Sequence, residues 1–224
     1  ELWGSSHAAN MKTEDYFIVA NGYENVRKPS TFENGINRMY SNADCTINNT
    51  VDIAFVVDAT GSMGDEIEYM KLELEDVINK TFEKYNNLDL RAASVFYRDN
   101  GDEYLTKHVD FNNDLLKTLN FIKLQRAGGG GDMPEAVNSA LTTALDSLHW
   151  SNSARAKLMF LILDAPPHGE TKEDIYQLTK RAAAQGIRII PIVCSGADKN
   201  TEFIMRSIAL ATNGTYLFLT NESG

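Results

Sequence analysis

The sequence has little of what braces a small secreted scaffold or anchors a chain in a bilayer. Its two cysteines, Cys45 and Cys194, match no zinc-ligand spacing and make no disulfide framework. A single bridge between them stays open, beside the reading of Cys194, which follows an apolar run, as a buried free thiol. No apolar run reaches the roughly eighteen residues that a membrane-spanning helix needs. Basic residues are the minority, 21 against 31 acidic ones, for a net charge of −10. That balance argues against unaided binding to nucleic acid or anionic lipid and favours a bound cation. The chain starts at Glu1 without a basic-then-apolar leader, as expected of a processed product or a fragment.

What is present is a hydrophobic fraction of 43% in 224 residues, enough for one domain with a sizeable core plus an extension. Residues 1–50 are rich in Asn, Ser, Glu and Gly, show no sustained period, and read as an N-terminal extension packing on or preceding the domain. From residue 51, short apolar runs alternate with helical stretches, the pattern of an α/β fold with a mostly parallel sheet. Strands are predicted over 51–57, 90–97, 104–109, 157–163, 187–193 and 215–219, the third as an antiparallel edge. Pro191 interrupts the fifth. Helices are predicted after Gly64, over 112–122 with Asn112 as N-cap, after Asp132 and Pro134, after Thr171, and up to Thr212. Residues 220–224 read as the start of a linker.

Three segments carry candidate chemistry. Val51 to Gly64 reads V-D-I-A-F-V-V-D-A-T-G-S-M-G, a buried strand, a tight polar turn and a helix start. Asp58, Thr60 and Ser62 alternate along that turn, so their oxygens can converge on one point, as hard divalent cations require. The second segment is Gly128-Gly129-Gly130-Gly131-Asp132-Met133-Pro134-Glu135. Four glycines make a loop, because their backbone entropy opposes regular structure. This loop lacks the Lys-Ser/Thr of a phosphate-binding loop, and acidic residue types follow it. The third is Asp164, at the end of the apolar strand over 157–163 and before Ala165-Pro166-Pro167-His168. His168 reads as a surface loop residue, and Asp99, on the same rim as Asp58, as a turn residue or a group supporting the site from behind. No nucleophile with an activating base is identifiable, and no catalytic residue is assigned. In open parallel sheets ligands bind beyond the carboxyl ends of the strands where the strand order reverses, which places a crevice over Asp58.

At these residues the chain resembles the von Willebrand factor type A domain family over approximately residues 51–219. Asp58-Ala59-Thr60-Gly61-Ser62-Met63 is similar to the opening of that family's metal-ion-dependent adhesion site, Asp-x-Ser/Thr-x-Ser. Asp164 matches the aspartate of its third loop. The resemblance implies a doubly wound, mostly parallel sheet with one antiparallel edge strand and helices on both faces. It implies a metal site of Asp58, Thr60, Ser62, Asp132 and Asp164, with Mg²⁺ as the ion and Mn²⁺ or Ca²⁺ as substitutes. The departure is Asp132, the nearest oxygen donor where the family's second loop offers a threonine. Also implied is a non-enzymatic protein-binding or adhesion module, monomeric as an isolated domain. Its partner would be a protein or surface ligand engaging the metal through an acidic side chain. An extracellular or cell-surface location goes with adhesion. The alternative is an auxiliary domain of an ATPase-associated or chelatase-like assembly, with a cytoplasmic location.

Overall fold

The computed structural model describes residues 49–84, 87–131 and 133–219. The extension, Cys45, Asp132 and the linker residues 220–224 lie outside them.

In chain order the elements are β1 (Thr50–Asp58), α1 (Gly64–Lys84), β2 (Asp89–Tyr97), β3 (Thr106–Asn112), α2 (Leu115–Leu124) and α3 (Val137–Asp146). They continue with β4 (Ala156–Leu163), α4 (Lys172–Ala184), β5 (Ile187–Val193), α5 (Lys199–Ala211) and β6 (Leu217–Phe218). Single 3₁₀ turns, Gly61–Met63 and Gly169–Thr171, lead into α1 and α4. The six strands lie in the order β3-β2-β1-β4-β5-β6. All pairings are parallel except β2 with β3, so β3 is the antiparallel edge. Chain direction across the sheet reverses at β1, which runs between β2 and β4.

Period-two alternation along β1 explains the two layers. Ala54 and Val56 enter one apolar cluster with Leu141 of α3, Leu178 of α4 and Met205 of α5. Phe55 and Val57 enter the other with Ile67 and Leu74 of α1 and Leu119 and Ile122 of α2. A strand buried on both faces needs apolar residues at nearly every position, which is what 51–57 supplies. The exception is Asp52, 0% exposed, whose carboxylate accepts from Arg91 Nε at 2.8 Å and Nη2 at 3.2 Å and from the Ser151 amide at 2.6 Å.

Several boundaries move from where the sequence puts them. Asn112 ends β3, and Asp114 caps α2 by accepting from the Leu116 amide at 3.2 Å. α3 begins at Val137 rather than around Pro134, because Glu135 is held in an extended bridge with Pro167 and donates its N–H to Pro166 O at 2.9 Å. Pro191 sits inside β5 beside Leu161, and β6 reaches only Ile192 and Val193. At Pro191 the strand therefore borders the sheet's edge, where proline is tolerated. Cys194 is a buried free thiol, with burial pushing it up to about 12.

The end of α5 shows a glycine required by contact. Asn213 adopts a positive φ of 55° and Gly214 donates to Ala209 O at 2.8 Å, turning the chain directly onto β5. A Cβ at residue 214 would stand inside the Ile189 carbonyl group. That carbonyl is strand backbone of β5, which is paired with β4, and cannot swing aside as a flexible side chain would. Gly214→Ala is therefore expected to destabilise the fold by about 1–3 kcal/mol, measured as a fall in the thermal or denaturant midpoint.

Candidate functional site

The site lies over the carboxyl ends of β1, β2 and β4. Asp58 is the last residue of β1, and the chain turns there because Ala59 N–H donates to Tyr97 O at 2.8 Å at the end of β2. Asp58 is 0% exposed. Its Oδ1 accepts from the Thr60 amide at 2.8 Å and the Thr60 hydroxyl at 2.7 Å, while Oδ2 has no hydrogen-bond partner. Thr60 is buried with it, and Ser62 is exposed on the turn that starts α1. Asp164 follows β4, is 4% exposed, and leaves Oδ1 without a partner. Its charge acts on Asp58, so the two carboxylates that end β1 and β4 do share one region.

The glycine loop reaches this region through its backbone. Gly128 N–H donates to Ala59 O at 3.0 Å, and Gly129 O accepts from Gly61 N–H at 3.1 Å. Gly129 and Gly130 both have positive φ, 74° and 66°. A Cβ at residue 130 would lie 2.8 Å from Thr60 Cβ and 3.0 Å from Glu135 Oε1. Glycine here lets the loop pass between those two side chains.

Four residues that the sequence reading assigned no part in the site prove to belong to its surroundings. Glu135 is 3% exposed and its Oε2 is unpartnered. Tyr97 is fully buried beside Asp58, and its hydroxyl interacts with the Asp58 carboxyl without meeting full hydrogen-bond geometry. Asp102 accepts from the Gly130 amide at 2.9 Å and the Asp99 amide at 3.1 Å, tying the loop after β2 to the glycine loop. His168 is half-buried, with Nε2 2.7 Å from Asp99 Oδ1, and links the loops after β2 and β4. The sequence signal for Glu135 was its place after Pro134 at the end of the glycine loop, which reads equally well as the first turn of a helix.

Among the described residues, no positive charge figures in what acts on Asp58 and Glu135. Burial is the largest cause that pushes Asp58 up to about 7, with Asp164 adding repulsion against the lowering effect of the Thr60 hydrogen bonds. Glu135 is pushed up to about 8, first by burial and then by Asp58, Asp99, Asp102 and Asp164. The nearby Arg98 is engaged elsewhere, donating to Arg126 O at 3.0 Å, pairing with Glu103 at 3.4 Å, and stacking over Tyr104.

An open α/β sheet with buried carboxylates and a hydroxyl gathered at its reversal point defines a domain of the doubly wound class. The chain belongs to the von Willebrand factor A domain family, whose model matches residues 52–224. It is 28% identical over 192 residues to a putative ariadne-like RING finger protein of Acanthamoeba polyphaga mimivirus, covering 77% of this chain and 19% of that protein. It is 27% identical over 166 residues to the alpha-protein kinase vwkA of Dictyostelium discoideum, covering 73% and 26%. The chain thus spans roughly a fifth to a quarter of these relatives. Among solved structures it is similar to the conserved hypothetical protein BatB of Bacteroides thetaiotaomicron, with TM-score 0.57 and 15% identity over 77% of this chain and 91% of that one. The pilus adhesin SpaC of Lactobacillus rhamnosus GG gives 0.58 and 15% over 81% and 29%.

These raised carboxylates set the pH dependence of the metal-free fold. Each group has a folded pKa above its unfolded value, 3.8 for Asp58 and 4.5 for Glu135. Its contribution is complete below the unfolded pKa and is lost as pH rises through about 7 and about 8. In chelator, the thermal midpoint is expected to fall between pH 5 and pH 8, and Glu135→Gln should flatten the upper part of that fall.

Proposed function

We propose that the domain is a non-enzymatic protein-binding module whose partner engages a divalent cation held over the end of β1. The observation that carries this reading is the pair of buried, unpartnered carboxylate oxygens, Asp58 Oδ2 and Asp164 Oδ1, in a region without a free cation among its described neighbours. A buried carboxylate left this way is costly unless a proton or a metal ion compensates it. The donor set fits a hard ion. Thr60 donates its hydroxyl proton to Asp58 Oδ1, which leaves its oxygen lone pairs for a cation, and Ser62 stands exposed on the adjoining turn.

Asp58, Thr60, Ser62 and Asp164 would hold the ion, with Asp132 contributing from the glycine loop. Among the described residues no three His, Cys, Asp or Glu side chains are spaced to grip a metal alone. Hydroxyls and water would therefore complete the set, which suits octahedral Mg²⁺, with Mn²⁺ or Ca²⁺ as substitutes. When bound, the ion supplies an open coordination position for an oxygen of the partner. The chain's own residues fix that position: Thr60 orients Asp58, and the glycine loop, latched to Ala59 and Gly61, keeps the turn in place. Family membership and the adhesin neighbour support an interaction role and, with it, an extracellular or cell-surface location. The second reading is an auxiliary domain inside a longer chain, with a cytoplasmic location. It is favoured by the relatives, a RING finger protein and a kinase, of which this domain is a minor part.

Calorimetric titration of chelator-treated protein with Mg²⁺, Mn²⁺ and Ca²⁺ tests the site. The parent is expected to bind saturably and Asp58→Asn to bind at least about 100-fold more weakly while keeping its thermal transition. Equal binding by parent and variant, or no binding by the parent, would sink the metal-dependent reading.

A further inference from the structure

The residue of this site least explained by the reading above is Glu135. It enters the site from two anchored directions. Its backbone is fixed to the loop that carries Asp164, through the hydrogen bond to Pro166 O and the bridge with Pro167. Its side chain points back across Gly130 toward Thr60, because Thr60 Cβ and Glu135 Oε1 both crowd the place where a residue-130 Cβ would stand. Only 3% of the residue is exposed, and Oε2 meets no donor. A long carboxylate can be held here only if glycine occupies position 130, so this loop is shaped around it.

Resting on the cation site proposed above, we infer that Glu135 is a positioning carboxylate of that site and that it makes a neutral or basic partner group, rather than an acidic one, the ligand of this domain. Asp58, Glu135 and Asp164 are not spaced for three direct bonds to one ion. Glu135 therefore acts on the ion through its bound water and through its charge, as carboxylates beyond the coordinating atoms do in metal sites. Among the described residues, Asp58, Glu135 and Asp164 already bring three negative charges to a dication and leave at least one net negative charge, and Asp99 and Asp102 add to the field from the loop after β2. An incoming Asp or Glu side chain meets that surplus at close range beside buried carboxylates. A carbonyl, amide or hydroxyl oxygen does not, and a lysine or arginine beside that oxygen gains from it.

Mn²⁺ is the probe, used with the parent, Glu135→Gln and Asp58→Asn. Glutamine keeps the shape of a protonated glutamate and removes only the charge. Glu135→Gln is expected to fold in chelator with a midpoint at or above the parent's, and to bind Mn²⁺ about 10- to 100-fold more weakly. If Glu135→Gln binds Mn²⁺ as the parent does while Asp58→Asn does not, the inference falls and the cation site stands. If the parent itself binds no Mn²⁺, both fall. Acetate supplies the partner arm, read by water-proton relaxation of the bound Mn²⁺. It should leave the parent's relaxation unchanged and lower that of Glu135→Gln at metal saturation. Displacement of water by acetate in the parent would overturn the exclusion of acidic partners.

Discussion

A carboxylate buried at the end of the central strand is the constraint around which this domain is arranged. Asp58 has no exposed surface, and only one of its two oxygens is satisfied within the fold. Burying a charge in this way is unfavourable by several kcal/mol unless it is compensated. Thr60 supplies part of the compensation with two hydrogen bonds. The remainder is left to a proton or, on the function proposed above, to a cation.

The same strand holds a second buried aspartate that shows the contrast. Asp52 lies six positions earlier on the same face of β1, and each of its oxygens is occupied, by Arg91 and by the Ser151 amide. Arg91 also donates to His149 O at 2.8 Å and covers the Phe111 ring. Asp52 thus ties the amino end of the sheet together and has nothing to offer a ligand. Two aspartates of equal burial differ in role because one end of the strand brings an arginine and the other brings more carboxylates.

The loops above Asp58 hold one another through backbone and side-chain contacts. Asp102 joins the loop after β2 to Gly130, the glycine loop latches to Ala59 and Gly61, Glu135 pairs with the Pro166-Pro167 segment, and His168 returns to Asp99. These links make one rim of segments far apart in sequence. Close approach of loop backbone to side chains at Gly129 and Gly130 is what permits it, since any Cβ there would overlap Asp102 or Thr60 and Glu135. A partner arriving at the rim would therefore meet a surface whose loops are coupled to each other.

The sequence by itself determined the strand and helix order, the sheet class and the position of Asp58 at its reversal point. Apolar runs buried on both faces, punctuated by Gly and Asp, have few other ways to fold. It also marked Thr60, Ser62 and Asp164 for attention, because an alternating turn and a carboxylate after an apolar strand are local patterns. Local pattern did not fix where α2 and α3 begin, since Asn112, Asp114, Asp132 and Pro134 are all acceptable helix starters and only pairing along β3 and at Pro167 decided between them. Nor did it reveal Asp58 as fully buried or Glu135 as part of the rim. Those facts depend on Gly130 lying between Thr60 and Glu135, and on the bridge to Pro167 across 32 residues of sequence. Contacts between distant segments leave no periodicity in the chain, so the tertiary structure alone decided which carboxylates share the crevice and which, like Asp52, were already satisfied.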